Sequence, residues 1–235
     1  MAGAWQVSTW NDSSAAAYHT LRDRILTGEL VPGDRLAARP IATELGLEQF
    51  PVRNALIRLV QDGLVHLRTG YRVAPLTTKC VDDLFCFWTE LGPEIARLGV
   101  TRAGTDQIDA LRRLIAELGE TLGMEPARDR IRRSLALADA MFHLLAVATD
   151  NSWLVEIYLS LAENMMRTWS VVLAAASHQD VLQTAPMNWR PVVDRRDGDL
   201  AAETTRRFLE TSREIAVHVL REPIEGQGTV VPLRS

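Results

Sequence analysis

Residues 36–65 read LAARPIATELGLEQFPVRNALIRLVQDGLV, and this stretch decides the architecture of the first third of the chain. Two short apolar-periodic segments flank Gly46. In the second, Val52, Ala55, Leu56, Leu59 and Val60 recur at i, i+3, i+4, i+7 and i+8, so one continuous stripe of a helix is apolar and faces a core. Pro51 suits the first turn of that helix, where its missing N–H would have no partner anyway. Arg53 and Arg58 fall on the outer side. The spacing predicts helices over Arg39–Leu45 and Pro51–Asp62, ended by Gly46 and Gly63. Two short helices joined by a tight turn form a helix-turn-helix, whose second helix can enter a DNA major groove.

Working outward, a first helix is expected over Ser14–Thr27, capped by Ser13 or Ser14 and stopped by Gly28, with Ala17, Leu21 and Ile25 on one face. Pro32-Gly33-Asp34 is a turn. Two short strands follow, near Leu64–Leu67 and Tyr71–Val73, with residues 65 and 67 alternating with 66 and 68 as in a half-exposed hairpin, and Arg68-Thr69-Gly70 joining them as a β wing. Beyond Pro75 the pattern is helical. Val81, Leu84, Phe85, Trp88, Leu91 and Ile95 mark one long helix, with Pro93 expected to kink it. Ile108, Leu111, Ile115, Leu118 and Leu122 mark the next. Further helices are expected over Ala127–Ala148 and Trp153–Ala175, then, after a loop at 177–187, over Asn188–Arg196 and Leu200–Arg221 around a Gly198-Asp199 break. The expected fold is mainly α: a winged helix-turn-helix over 1–75, a linker at 76–79, an all-α helical-bundle domain over 80–222 able to enclose a ligand between helices, and a loose tail at 223–235.

Composition narrows the function. Hydrophobic residues make up 47% and charged residues 24% of the 235 positions, as in a soluble globular protein. No run of 18 apolar residues occurs, so no membrane span is expected. The opening MAGAWQVSTWNDSS has no basic region before an apolar stretch, so the cytoplasm is the expected compartment. Cys80 and Cys86 match no zinc or redox spacing and are expected to be reduced thiols. The net charge of −4 argues against indiscriminate coating of nucleic acid. Residues 35–72 differ: Arg35, Arg39, Arg53, Arg58, Arg68 and Arg72 stand against only Glu44, Glu48 and Asp62. No nucleophile elbow, phosphate loop or paired cysteine is present, so an enzyme is not expected.

LRDRILTGELVPGDRL at 21–36, IATELG at 41–46, PVRNALIRLVQDGLV at 51–65 and the wing resemble the GntR family of bacterial transcription regulators. The helical remainder resembles the effector domain of its FadR/FCD branch, and DAMFH at 139–143 followed by TDN at 149–151 is similar to that branch's D-x-x-x-H segment. The resemblance implies a homodimer, most often a repressor, on double-stranded DNA at a short palindromic operator, with half-sites about one helical turn apart. It also implies a small-molecule effector that weakens binding. By the same resemblance Arg39 and Arg53 contact DNA. Gly70 sits at the wing tip, where the lack of a side chain allows approach to the minor groove; Tyr71 and Arg72 flank it, and Arg68 is placed to hold phosphate. Arg58 reads equally as a solvated arginine or a DNA contact. The chain departs from the family before Pro51: Glu48-Gln49-Phe50 stands where relatives carry a segment like Ser-Arg-Thr. Gln49 suits adenine and Phe50 a thymine methyl; alternatively the segment shifts operator choice without a defined contact. An operator unlike the usual family core is expected.

In the helical domain Asp139 and His143 lie i, i+4 on one helix face, a spacing that suits a divalent metal. In metal-binding relatives two more histidines complete the site, and the matching positions here, in NWRPVVD and TRRFLE, are Trp189 and Phe208. His19, His66, His178 and His218 do not substitute. A metal on Asp139 and His143 is one alternative; the other is a buried hydrogen-bonded pair with no cofactor. An arginine of the family's first effector helix is likewise replaced by Trp88. Trp88, Asp139, His143, Trp189 and Phe208 therefore outline an effector pocket for an apolar or aromatic molecule with one polar group on Asp139 or His143. The competing expectation is a constitutive regulator whose aromatics fill the cavity.

Overall fold

The computed structural model describes residues 12–125, 127–174 and 188–221. The chain divides into two compact units, Met1–Pro75 and Leu76–Ser235.

In the first unit, α1 (Asp12–Leu26), α2 (Ala38–Leu45) and α3 (Gln49–Gln61) alternate with β1 (Arg35–Leu36), β2 (Val65–Leu67) and β3 (Tyr71–Val73). The strands form an antiparallel sheet in the order β1-β3-β2, with Leu36 opposite Tyr71 and Val65 opposite Val73. β1 has no counterpart in the sequence expectations. Two residues are too few to show alternation, and β1 exists because it lies alongside β3. The core gathers Ala17, Leu21 and Ile25 from α1, Ile41 and Ala42 from α2, and Val52, Ala55, Leu56 and Leu59 from α3. The turn between α2 and α3 requires Gly46, whose φ of 66° and ψ of 30° lie in the left-handed region. Its N–H approaches the carbonyls of Ala42 and Thr43.

Several expectations need correction. α1 already includes Asp12, so Ser13 and Ser14 lie within it and do not cap it. α3 begins at Gln49, two residues before Pro51. Gln49 and Phe50 are therefore helical, and Glu48 is the extended residue that precedes them. A proline is tolerated anywhere in the first turn, because none of those N–H groups has an intrahelical partner. In β2, Val65 is buried but Leu67 is 60% exposed; the apolar alternation stops where the wing extends past the core. The linker is also shorter than expected. Within the second unit α4 begins at Thr78, capped by the Thr77 hydroxyl, which accepts from the Cys80 N–H at 3.1 Å.

The second unit is helical throughout its described residues: α4 (Thr78–Arg102), α5 (Thr105–Leu122), α6 (Arg128–Ala148), α7 (Ser152–Ala174), α8 over residues 188–195, and α9 (Gly198–Arg221). α4 packs along α9 and α6, α5 along α6, and α6 along α7. α4 runs unbroken through Pro93. The turn between α8 and α9 falls at Arg196, which has a φ of 52°, and not at Gly198-Asp199. Asp197 accepts from the Leu200 N–H at 2.9 Å and so starts α9 earlier than expected. The expected loop at 177–187 and the tail at 223–235 lie outside the described residues.

The α4–α6 crossing depends on Gly99. A Cβ at that position would overlap the backbone carbonyl of Leu145, which cannot swing aside as a side chain would. Gly99→Ala is expected to destabilise the helical unit by about 2–3 kcal/mol. Gly104→Ala, where a Cβ would meet only Gln107 Oε1 at 3.7 Å, should cost less than about 1 kcal/mol. Urea denaturation of the two variants checks the contrast.

Candidate functional site

The buried stripe of α3 fixes which of its residues face solvent. With 3.6 residues per turn, burying Val52, Ala55, Leu56 and Leu59 turns Phe50, Arg53 and Ile57 outward, and all three are exposed; Gln49 lies on the side of Leu56 and is exposed as the first residue of the helix. Arg39 is exposed near the start of α2, and Arg68 at the end of β2. The side chains of Arg39, Arg53 and Arg68 make no ion pair or hydrogen bond among the described residues, so three cations stand ready for an external anion. Gly70 occupies the wing tip at φ 110°, beside half-buried Tyr71.

Of the arginines in residues 35–72, two are engaged. Arg72 donates to the Gly33 carbonyl at 2.8 Å and ties β3 to the turn before β1. Arg58 pairs with Asp62 at 3.2 Å, and Asp62 also accepts from the Tyr18 hydroxyl at 2.8 Å. The Tyr18–Asp62–Arg58 link thus joins α1 to the end of α3. Arg58 meets Asp62 through Nε while its side chain stays 55% exposed, which fits a solvated arginine and a DNA contact alike. Ile57, 48% exposed, escaped the sequence analysis. Its signal was there: it falls outside the 52/55/56/59/60 stripe yet is apolar.

In the helical unit the residues singled out divide into separate groups. Trp88 is buried and packs on Tyr158, with ring centroids 6.0 Å apart. Tyr158 donates to the Asp139 carboxylate at 2.5 Å and stacks on His143 at 5.9 Å. Asp139 and His143 therefore do not form the expected buried pair: Tyr158 takes the carboxylate, and His143 is exposed. Phe142 holds the other group together, with ring centroids 5.3 Å from Trp169, 6.2 Å from Trp189 and 6.3 Å from Phe208. Trp169 and Phe208 lie 5.4 Å apart. Trp189 is buried and Phe208 half-buried.

The donor set does not fit a divalent metal. Among the described residues no three His, Cys, Asp or Glu side chains come together. Of the two candidates, one carboxylate already accepts a phenolic hydrogen bond, and carbon rings stand where the resemblance called for two more imidazoles.

Two polar features of the interior were missed. The indole N–H groups of Trp88 and Trp169 are buried and have no hydrogen-bond partner among the described residues. Arg167 is buried on α7, and that burial lowers its pKa to about 10. A charge inside MMRTWS, between Met166 and Trp169, was the signal for it. Two clefts of about 390 and 410 Å³ open elsewhere on the unit, one beside Arg112 and Arg190, the other beside Cys86 and Arg213. Neither is lined by Trp88, Asp139, His143, Trp189 or Phe208.

A winged helix-turn-helix with a free cationic face, in one chain with an all-helical unit, defines a transcription regulator of the effector-domain class. Comparison with known proteins gives the family. The model of the bacterial regulatory proteins of the gntR family matches residues 13–74, and the FCD domain model matches residues 83–211. The chain belongs to the GntR family of transcriptional regulators, in the branch that carries an FCD domain. Among relatives, it is 28% identical over 102 residues to the uncharacterized HTH-type regulator YdhC of Bacillus subtilis, covering 43% of this chain and 46% of that one. It is 27% identical over 139 residues to the HTH-type transcriptional repressor GlaR of Escherichia coli, covering 58% of this chain and 62% of that one. The chain spans about half the length of the curated relatives it matches. In fold it is similar to McbR/YncC of E. coli, with a TM-score of 0.73 at 17% identity, covering 88% of this chain and 98% of that one. A GntR regulator from Rhodococcus gives 0.67 at 17% identity, covering 88% and 99%. No helix among the described residues is long and apolar enough to cross a membrane.

Tyr158→Phe removes the hydroxyl that Asp139 accepts and is expected to cost about 1–2 kcal/mol of unfolding free energy. His143→Ala, at an exposed position, should change it by less than about 0.5 kcal/mol. Denaturant titration of the helical unit measures both.

Proposed function

We propose that this chain is a cytoplasmic transcriptional repressor that binds a short palindromic operator as a homodimer and responds to a small molecule held in its helical unit. The observation that carries the DNA half is the set of unengaged arginines, Arg39, Arg53 and Arg68, on α2, α3 and the wing. A phosphate backbone supplies the missing anions, and a guanine edge accepts two hydrogen bonds from one guanidinium. The name of GlaR as a repressor supports the sign of regulation.

Arg53→Ala is expected to weaken operator binding about tenfold or more and, if Arg53 meets phosphate, to reduce the salt slope by about one. Arg58→Ala should weaken it by less than about threefold, because Arg58 already pairs with Asp62. Fluorescence anisotropy across a salt series measures both. Equal losses for the two variants would count against this division of roles.

For the effector, the supporting observation is the two buried indole N–H groups of Trp88 and Trp169, which have no partner among the described residues. An indole is a donor only. The molecule it suits carries an acceptor, a carbonyl or carboxylate, on an otherwise apolar or aromatic body. The polar contact shifts from Asp139 and His143 to the tryptophans, and no cofactor or metal is part of this reading. The contacts of Phe142 with Trp169, Trp189 and Phe208 favour a second reading, in which the rings fill the space and the regulator is constitutive. A thermal-shift and operator-release screen separates the two. Aromatic acids and ketones are expected to raise the melting temperature by several degrees and change operator affinity, with no effect of EDTA. A response only to citrate-like or sugar acids, or only to added zinc or nickel, would overturn the effector reading; a response to nothing would favour the constitutive one.

A further inference from the structure

Phe50 and Ile57 are 61% and 48% exposed on α3. The fold does not need them there, because Val52, Ala55, Leu56 and Leu59 already meet the helix's apolar demand at 0% exposure. At about 100° per residue, Phe50 and Ile57 point within about 20° of each other, and Arg53 stands within about 60° of both. The rise of 1.5 Å per residue sets Phe50 and Ile57 about 10 Å apart along the axis. That is about three base-pair steps of 3.4 Å. The face holds no carboxylate within the helix: Glu48 lies before its first turn, and Asp62 beyond its last is occupied by Arg58 and Tyr18. Two apolar side chains astride a free cation need a partner that presents anionic or acceptor groups between apolar ones. The major groove of DNA does so where methyl-bearing pyrimidines flank a guanine or a phosphate.

We propose that α3 reads pyrimidine C5-methyl groups through Phe50 and Ile57, placed about three base steps apart on either side of the position served by Arg53. This rests on the assignment of α3 as the DNA-reading helix. Thymine and 5-methylcytosine present the same methyl in the major groove, so the chemistry is shared. Charge complementarity selects DNA over a second protein surface, because the same face carries Arg53 with no neutralising carboxylate.

The test uses the full chain. A site is first selected from random duplex DNA. Each thymine is then replaced in turn by deoxyuridine, which removes only the methyl, and each cytosine by 5-methylcytosine, which adds one. Binding is followed by fluorescence anisotropy. Deoxyuridine at one or two positions of each half-site is expected to weaken binding about threefold to fivefold, as loss of one buried methyl-sized group implies. Phe50→Ala and Ile57→Ala should each abolish the deoxyuridine effect at one position and keep it at the other. A gain with 5-methylcytosine and no loss with deoxyuridine would make methylated cytosine the source. If neither substitution changes affinity by more than about 1.5-fold, or if the alanine variants keep full methyl discrimination, the proposal is overturned while DNA binding stands. A change of oligomeric state in the variants, in place of lost discrimination, also overturns it. Failure to select any sequence would instead overturn the assignment of α3 as a DNA reader.

Discussion

Burial of one stripe of α3 governs the DNA-binding unit. Val52, Ala55, Leu56 and Leu59 are fully buried, and removing a side chain such as Val or Leu from water is worth roughly 1.5–3 kcal/mol. That burial locks the rotation of the helix about its axis. A rotation by one residue would swing Arg53 by about 100° and bring Phe50 toward the core. The outward set Phe50, Arg53 and Ile57 is therefore a consequence of core packing. The Tyr18–Asp62–Arg58 link pins the far end of the helix to α1. A helix fixed along one side and at one end can present its other side reproducibly to a rigid partner.

The parts of this unit that were legible in the sequence are those governed by local periodicity. The stripe of α3, the glycine that ends α2 and the face of α1 at Ala17, Leu21 and Ile25 each recur at helical spacing or demand one residue type. The start of α3 was not legible, because Pro51 is compatible with several places in a first turn and Glu48 makes no side-chain cap that would mark the boundary. β1 was not legible either, since its two residues are a strand only through β3, thirty-five positions away. The tie between Arg58 and Asp62 has i, i+4 spacing and was open to view. What the spacing does not give is the Tyr18 hydroxyl that orients Asp62.

The helical unit shows a different limit. Its helices follow from the apolar pattern, but the fate of Asp139 and His143 does not. Both positions share a helix face, and spacing alone pairs them. The tertiary neighbour decides otherwise: Tyr158 donates to Asp139 and lays its ring on His143. A phenol from α7, arriving from nineteen residues away, turns a metal-like pair into a hydrogen bond and a stacked ring. The replacement of ligand positions by Trp189 and Phe208 was readable; that Phe142 would gather these rings with Trp169 was not, because aromatic contacts across four helices have no sequence period.

The interior so formed is not what packing alone would select. A buried guanidinium at Arg167, with its pKa lowered to about 10 by desolvation, is costly wherever an apolar residue of similar volume would serve. Two indole N–H groups without acceptors among the described residues add a cost that phenylalanine at Trp88 or Trp169 would avoid. The Ser134 hydroxyl, buried on α6, adds another. These groups sit in a unit whose helices otherwise close tightly, down to the backbone contact at Gly99. Of these, the two indole N–H groups, which have no acceptor among the described residues, are the ones that an acceptor-bearing occupant would satisfy.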